Sequence, residues 1–421
     1  MGFVVLFAVA LVAAALLARF ARARRRPPAS AATAADGAPT FRVVALGPRG
    51  SGKTLLLASM YHQMQTPSGR SYFFTAPYDQ VAVLNQWFTQ VADTGQDWPG
   101  GTTSADTREF MFTVRTRAPS GRLHTVMKLG YLEYAGGLLT DPQGADASLQ
   151  TELLRRIESA DALIGLIDGF QLRQWIDGKY EGQRRVQHTL TAMIGLMMLV
   201  SCPITFVITK WDLLADIDAD ENGRLQIVRK LLMSNQGFRD LVNTHSYHRV
   251  VRLVPVSAVG PTFAAVDDHG LVTKLPGGEM HPTNVDAPLA SVVPDVFEQV
   301  QRKLDHAQLQ AALASARGAS GAGPVAAIAE LGSFVVRTTG RALGAINPLY
   351  AAFVGDAVAE LFGRAEDSQA DRQARVDRRL TEVEREIEEF HLARRKVIRE
   401  FQSRVDILEG RLPASRLSAE H

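Results

Sequence analysis

The eight residues from Gly47 to Thr54 (GPRGSGKT) have the types and spacing needed to hold a phosphate group. Glycines at Gly50 and Gly52 let backbone N–H groups converge on phosphate oxygens with no Cβ in the way. Lys53 would reach the outer phosphates of a nucleotide, and the Thr54 hydroxyl would hold Mg²⁺. The pattern predicts a phosphate-binding loop. Its predicted contacts are Gly47, Gly50, Ser51, Gly52, Lys53 and Thr54.

The segments around this loop supply the elements that must position it. Residues 41–46 form a short β-branched run that predicts a buried strand, and residues 55–61 predict an apolar helix. This order places the loop at a helix N-terminus, whose partial positive charge favours phosphate. Arg49 occupies the variable loop position nearest the last phosphate. Two interpretations of it stay open: it supplies charge to a transition state, or it is a solvated loop residue.

Two further predicted strands end in residues that are suited to read a base. The apolar run 203–208 leads into Thr209-Lys210-Trp211-Asp212, and the run 252–256 leads into Ser257-Ala258. The Asp212 carboxylate can accept both N–H donors on the Watson–Crick edge of guanine, whereas adenine offers no such pair of donors. The stem of Lys210 would pack along the base. Each motif alone is weak evidence for base recognition. Together, in this order and each at the end of an apolar strand, they are strong evidence.

Taken together, these motifs resemble those of P-loop GTPases of the translation-factor and Ras-like class. The resemblance implies an α/β fold, a three-layer α/β/α sandwich with a mostly parallel central sheet, over residues 41–312. It implies GTP or GDP with Mg²⁺ as ligands. It also implies that Thr209, Lys210 and Asp212 read guanine, while a backbone N–H of the Ser257-Ala258 loop meets guanine O6.

The resemblance also identifies candidate residues that respond to the last phosphate. Thr103, or its neighbour Thr102, resembles the loop threonine that closes on Mg²⁺ and the γ-phosphate. Glu133 and Gly136 resemble the family's D-x-x-G motif, although Glu replaces Asp and Gly137 stands where a catalytic Gln often follows. The resemblance therefore implies nucleotide binding more strongly than fast hydrolysis. The predicted catalytic set is Lys53, Thr103, Glu133, Gly136 and Arg49, and the predicted metal ligands are Thr54, Thr103 and Glu133.

Three more apolar runs complete the expected sheet. Residues 109–114 and 125–132, separated by Ala118-Pro119-Ser120-Gly121, predict a β-hairpin. Residues 162–168 predict a further strand. Asp168, at the end of this strand, either caps the next segment or contacts a residue that itself contacts the ligand.

The N-terminal residues predict a membrane anchor. Residues 2–18 carry no charge, and five arginines follow between positions 19 and 26. This order is the reverse of a secretory signal and would hold the following chain in the cytoplasm. We therefore expect a transmembrane anchor with a basic flank over 1–26, membrane contact through residues 2–20, and a single-pass protein of the inner (cytoplasmic) membrane. A buried helix of a soluble domain is the alternative. Residues 27–40, rich in Pro and Ala, predict a flexible linker.

The C-terminal third differs in character from the rest of the chain. Residues 313–365 form an Ala/Gly-rich apolar helical region, which would contact a membrane or partner, or else pack on the nucleotide domain. Residues 366–412 place apolar residues three or four positions apart in a highly charged segment, which predicts a coiled coil. Its alternatives are a homodimer and a helix that folds back on the same chain. Residues 413–421 are expected to be a disordered tail.

Composition limits the classes of function. Hydrophobic residues make up 46% and charged residues 21% of 421 residues, with a net charge of +2 and one cysteine. These values are typical of a globular chain in a reducing compartment and give no reason to expect nucleic acid as a partner. The sequence predicts a membrane-tethered GTP-binding protein that hydrolyses GTP slowly and acts as a switch for a protein effector. The alternatives are a non-hydrolysing GTP-bound scaffold and a membrane-remodelling mechanoenzyme.

Overall fold

A computed structural model of the chain shows a mixed α/β fold built on one large sheet. The structure describes residues 38, 40–100, 108–133, 136–137, 147–246, 249–267, 271–303 and 369–417. Eight of the ten described strands form the large sheet, in the order β10-β7-β6-β5-β1-β4-β3-β2, and β8 pairs with β9. The strands are β1 Thr40–Leu46, β2 Tyr72–Thr75, β3 Arg108–Arg117, β4 Leu123–Glu133, β5 Ala162–Asp168, β6 Ile204–Thr209, β7 Val251–Pro255, β8 Ala264–Val266, β9 Val272–Lys274 and β10 Arg416–Leu417.

The centre of the sheet is parallel and its edges are antiparallel. Strands β4, β1, β5, β6 and β7 pair in parallel, whereas β2, β3 and β10 join antiparallel. All six residues of β6 are buried, as are the first six of β5. Strands buried on both faces need helices on both faces. This large, mostly parallel sheet agrees with the α/β part of the predicted fold and is compatible with a P-loop fold.

Nine α-helices among the described residues connect and cover the strands. Helix α5 packs on β5, α7 packs on β7, and α8 packs on β5, β6 and β7. Because the central strands are parallel, the loops that follow their carboxyl ends meet at one edge of the sheet. The helices are α1 Lys53–Met64, α2 Tyr78–Ala92, α3 Ala147–Glu158, α4 Gly169–Ile176, α5 Tyr180–Met197, α6 Glu221–Met233, α7 Gln236–Ser246, α8 Ala287–Lys303 and α9 Gln369–Arg411.

The predicted transmembrane helix is the part of the expected fold that has to be corrected. Among the residues that the structure describes, no helix is long and apolar enough to cross a membrane. The longest of these helices, α9, is highly charged along its length. The described part of the fold consists of the sheet and the helices packed on it. Residues 2–20, where that helix was predicted, lie outside the described residues, as do residues 313–365.

Helix α9 lies where a coiled coil was predicted and packs on its own chain. Its apolar residues Val397, Phe401, Val405 and Leu408 are buried in the main hydrophobic core. The helix contacts α8, β3 and β4. The apolar stripe over this half of the helix is therefore covered within the same chain. The chain then continues through a 3₁₀ turn at Pro413–Ser415 into β10 at the sheet edge. A disordered tail was expected over residues 413–421, of which the structure describes 413–417.

Buried ion pairs fix α9 against the segment before α8. Arg404 donates from Nε and Nη2 to the two carboxylate oxygens of Asp286, each at 2.9 Å. Asp286 is only 3% exposed. Arg252 on β7 donates to Glu409 of α9 at 2.8 Å. These charge-assisted contacts make α9 an integral part of the folded unit.

Candidate functional site

The glycine-rich loop joins β1 to α1 at the carboxyl edge of the sheet. Strand β1 ends at Leu46, and α1 begins at Lys53. Gly50 and Gly52 have φ of 78° and 84°, in the left-handed region that glycine tolerates without strain. At Gly47 an added Cβ would lie 2.9 Å from the Cβ of Leu166 on β5. These glycines therefore allow the loop to turn tightly and to rest directly on the sheet.

Lys53 is a buried cation inside this loop. Its side chain is 6% exposed, and Nζ donates to the carbonyl oxygens of Gly47 at 2.7 Å and Pro48 at 3.0 Å. Burial lowers the pKa of Lys53 to about 8, and the nearby Glu133 carboxylate partly opposes that shift. An ammonium group held at the N-terminus of a helix is suited to bind a polyanion such as a chain of phosphates.

Thr54 and Glu133 meet beside the loop. Glu133 ends β4 and is fully buried, and its Oε1 accepts a hydrogen bond of 2.5 Å from the Thr54 hydroxyl. Hydroxyl and carboxylate oxygens are the ligands that Mg²⁺ prefers, so this pair fits the metal that the family resemblance implies. Within the described ranges no cluster of three or more His, Cys, Asp or Glu residues could hold a metal by itself. A metal bound by Thr54 and Glu133 would therefore need further oxygens from a bound phosphate group or from water.

Gly136 rests against the backbone of the glycine-rich loop. A Cβ added to Gly136 would lie 2.5 Å from the carbonyl carbon of Pro48 and closer still to the backbone nitrogen of Arg49. The neighbouring Gly137 faces open space. The side chain of Arg49 is exposed at the loop surface. Thr103, like its alternative Thr102, lies outside the described residues.

The base-reading residues come together at the ends of β6 and β7. The Ser257 hydroxyl donates to Oδ1 of Asp212 at 2.5 Å, and it accepts from the backbone N–H of Gly260 at 2.8 Å. Burial raises the pKa of Asp212, and the hydrogen bond from Ser257 opposes that rise. The backbone N–H of Ser257 donates to the Thr283 carbonyl at 3.1 Å. Ser257 thus orients the carboxylate, and the next residue, Ala258, lines the cavity.

Lys210 connects the base-reading loop to β5. Its backbone is left-handed, with φ of 51°, which is uncommon for a residue other than glycine. Its Nζ lies 2.9 Å from Oδ2 of Asp168. Asp168 also accepts a hydrogen bond from the backbone N–H of Phe170 and so caps α4. It therefore both caps the segment after β5 and holds a residue of the site. Thr209 donates to the Ile167 carbonyl at 3.3 Å and adjoins Gly52.

One cavity of about 280 Å³ joins the two halves of the site. This is near the lower end, about 300 Å³, of the range for small-molecule sites. Four predicted residues do not line this cavity: Gly47, Ser51, Glu133 and Ser257. The predicted residues that line the cavity are Arg49, Gly50, Gly52, Lys53, Thr54, Gly136, Thr209, Lys210, Asp212 and Ala258.

Sequence reasoning did not identify the apolar residues of the cavity. They come from α1, from the segment after α2, from the turn after β6 and from the chain after β7. The only sequence signals were the length of the 260–290 segment and a tryptophan-proline pair just before Thr102. The missed lining residues are Leu55, Leu56, Trp98, Pro99, Gly100, Leu213, Val256, Val259, Ala264 and Val272.

The C-terminal helix supports the base-reading loop from outside the cavity. Thr283 pairs with Ser257 in an isolated antiparallel bridge. The next residue, Asn284, donates to the Pro255 carbonyl at 3.0 Å and accepts from Nη2 of Arg411 at 2.9 Å. A continuous set of hydrogen bonds therefore leads from Asp212 to α9.

Comparison with known proteins places few limits on this site. No protein-family model and no curated protein sequence matches the chain. Among solved structures, the chain is similar to a crystal structure of sup35 complexed with GDP, with a TM-score of 0.27 and 13% sequence identity. The match covers 55% of this chain and 40% of the sup35 chain. Since similarity at this level carries no argument, the functional conclusion rests on the geometry of the site.

Proposed function

We propose that the chain binds guanine nucleotides, hydrolyses GTP slowly and acts as a nucleotide-dependent switch for a protein partner. The observation that supports this most directly is the single cavity that Lys53 and Asp212 both line. A cation in a glycine-rich loop and a carboxylate in the same cavity match the two ends of a nucleoside di- or triphosphate.

The phosphate end of the site is formed by the glycine-rich loop. Backbone N–H groups of residues 50–54 and the Lys53 ammonium bind the phosphates, and the N-terminus of α1 adds to the favourable field. Thr54 and Glu133 are the residues that would hold Mg²⁺, which neutralises charge on the outer phosphate oxygens when it is bound. Glu133 is fully buried, so its carboxylate is held in place before nucleotide arrives.

Slow hydrolysis is expected because one catalytic group is missing. Gly137 has no side chain to orient an attacking water, although it stands where the related motif often has Gln. Arg49 lines the cavity together with Gly136, and its charge, like that of Lys53, can offset charge that develops during transfer. Gly136, packed on the loop backbone, has to shift if a γ-phosphate needs that space. Such a shift would make the segment after β4 sensitive to the difference between GTP and GDP.

A non-hydrolysing scaffold that uses GTP as a structural ligand is the second candidate, and Gly137 is the observation that favours it. Single-turnover measurements with the purified chain separate the two candidates. Release of phosphate from bound GTP supports the switch, whereas GTP that stays intact over hours supports the scaffold.

Guanine recognition is tested by comparing GDP and ADP binding to the purified full chain. We expect GDP to bind at least tenfold more tightly, and Asp212→Ala to remove this preference. A hydrogen bond to a charged group contributes about 1.5–3 kcal/mol, so its loss weakens GDP about 10- to 100-fold. Asp216→Ala is the matched control, because Asp216 lies on the same loop and pairs with Arg173. Equal affinity of the wild-type chain for GDP and ADP would reject guanine recognition.

A further inference from the structure

A second, smaller hydrophobic cluster forms one wall of the cavity. It is separate from the main core and joins the end of α2, the segment before Thr102 and the β8–β9 hairpin. We call the four members that line the cavity beside the hairpin the side wall: Trp98, Val259, Ala264 and Val272. Neither the glycine-rich loop nor the base-reading motif contributes to this wall.

The indole of Trp98 is held in one orientation. Its Nε1–H donates to the backbone carbonyl of Val272 at 2.8 Å, and its ring meets Phe263 edge-on at 6.1 Å between centroids. Nζ of Lys274 lies 5.1 Å from the centre of the Trp98 ring. The indole is therefore ordered before any ligand binds, so little side-chain entropy is lost on binding.

Lys274 attaches the hairpin to the end of α2. Its Nζ donates to the carbonyl oxygens of Gln90 at 2.6 Å and Asp93 at 2.8 Å. These carbonyls lie at the C-terminus of α2, where a cation is favoured by the helix dipole. The side wall thus rests on two elements that are distant in sequence.

The side wall adjoins the loop that holds the hydrogen-bond partner of Asp212. Trp98 packs in the same cluster as Val259 and Ala258, and Ala258 directly follows Ser257, the hydrogen-bond partner of Asp212. Leu55, one residue beyond Thr54 on α1, joins the same cluster. Gly136, in contrast, packs on Pro48 and Arg49 at the phosphate end.

We propose that the side wall binds the nucleoside part of the guanine nucleotide, with Trp98 as its principal contact. A flat base and the carbon face of a ribose match an apolar and aromatic surface, whereas phosphates do not. The wall also excludes water near Asp212, which strengthens the hydrogen bonds of a buried carboxylate. This inference rests on the proposed function, and it adds a positioning and affinity-determining surface to it.

The test measures binding of GDP and GTP to the full chain by calorimetry. Trp98→Ala is expected to weaken both nucleotides by the same factor, at least tenfold, because the lost contact is to the nucleoside they share. Val272→Ala, which trims the wall and keeps the indole, is expected to weaken both about threefold. Trp87→Ala is the matched control, because Trp87 is on α2, packs on Phe110 and does not line the cavity. It should leave both affinities unchanged.

Intrinsic fluorescence gives a second readout. Addition of GDP should change the tryptophan emission of the wild-type chain, and Trp98→Phe should lose most of that change. Unchanged GDP affinity in both Trp98→Ala and Val272→Ala would overturn the proposal, as would a loss confined to GTP. These results leave the proposed function intact if the wild-type chain still prefers GDP to ADP. A wild-type chain that binds no guanine nucleotide would instead reject the proposed function and this inference with it.

Discussion

Gly136 has no room for a side chain, so its replacement by alanine tests how closely this segment packs on the glycine-rich loop. In Gly136→Ala the new Cβ would lie 2.5 Å from the Pro48 carbonyl carbon and 2.9 Å from Cα of Arg49. Carbon atoms pack best about 3.5–4.0 Å apart, so the segment has to withdraw by about 1 Å. The atoms it meets belong to backbone, which cannot rotate aside as a side chain can. Overpacking of this kind costs about 1–3 kcal/mol.

Gly137→Ala provides a closely matched control for this substitution. A Cβ at Gly137 meets nothing within 4 Å, and neither glycine has a positive φ. Replacing glycine by alanine also removes freedom from the unfolded chain, which stabilises each variant by about 0.4–1 kcal/mol. This contribution is common to both variants and cancels in their difference. The difference in free energy of unfolding, about 1–3 kcal/mol, therefore measures the clash between Gly136 and the loop.

Urea unfolding of the two variants, followed by circular dichroism, is the assay. With a denaturant slope of about 3 kcal/mol per molar urea, the midpoint of Gly136→Ala should lie about 0.3–1 M below that of Gly137→Ala. GDP affinity should also change in Gly136→Ala alone, because the displaced segment borders the phosphate end of the cavity. Identical midpoints for the two variants would refute the close packing of Gly136 on the glycine-rich loop.

Three further predictions concern charged side chains. The pKa of Lys53, about 8 in the fold and 10.5 unfolded, means that the unfolded chain binds more protons between these values. Stability of the nucleotide-free chain should therefore rise across this window by up to about 3 kcal/mol, and Lys53→Met should remove that part of the pH profile of Tm. Arg404→Ala leaves the buried Asp286 carboxylate without its bidentate partner and should cost about 3 kcal/mol in urea unfolding, whereas Arg399→Ala, exposed on the same helix, should cost almost nothing. Arg49→Ala should reduce turnover at saturating GTP about tenfold, or about 1.4 kcal/mol in the barrier, and unchanged turnover would exclude a catalytic role.

Local sequence features predicted the strand, turn and helix that form the glycine-rich loop. The apolar run before Gly47 and the glycines at Gly50 and Gly52 specify a strand and a left-handed turn through their own backbone preferences. Strand β1 at Thr40–Leu46 and helix α1 from Lys53 lie where these features indicated. The hairpin of β3 and β4 was likewise readable from two β-rich segments with a Pro-Ser-Gly turn between them.

Features that depend on distant contacts could not be read from the sequence. The spacing of Val397, Phe401 and Val405 shows which face of α9 is apolar, and it is the same whether another chain or the sheet covers that face. Trp98 shows no periodic pattern, and its hydrogen bond to Val272 spans 174 residues. An uncharged stretch such as residues 2–18 fits a membrane span by composition and length alone, and no helix of the described chain supports that element of the fold.

Helix α8 ends at Lys303, and the next described residue, Gln369, begins α9. Both helices pack on the sheet and on each other. One of them begins next to Asp286, and the other carries Arg404 and Arg411. A displacement of α9 would therefore be transmitted through Asn284 and Thr283 to Ser257. The position of this helix is thereby coupled to the hydroxyl that orients the Asp212 carboxylate.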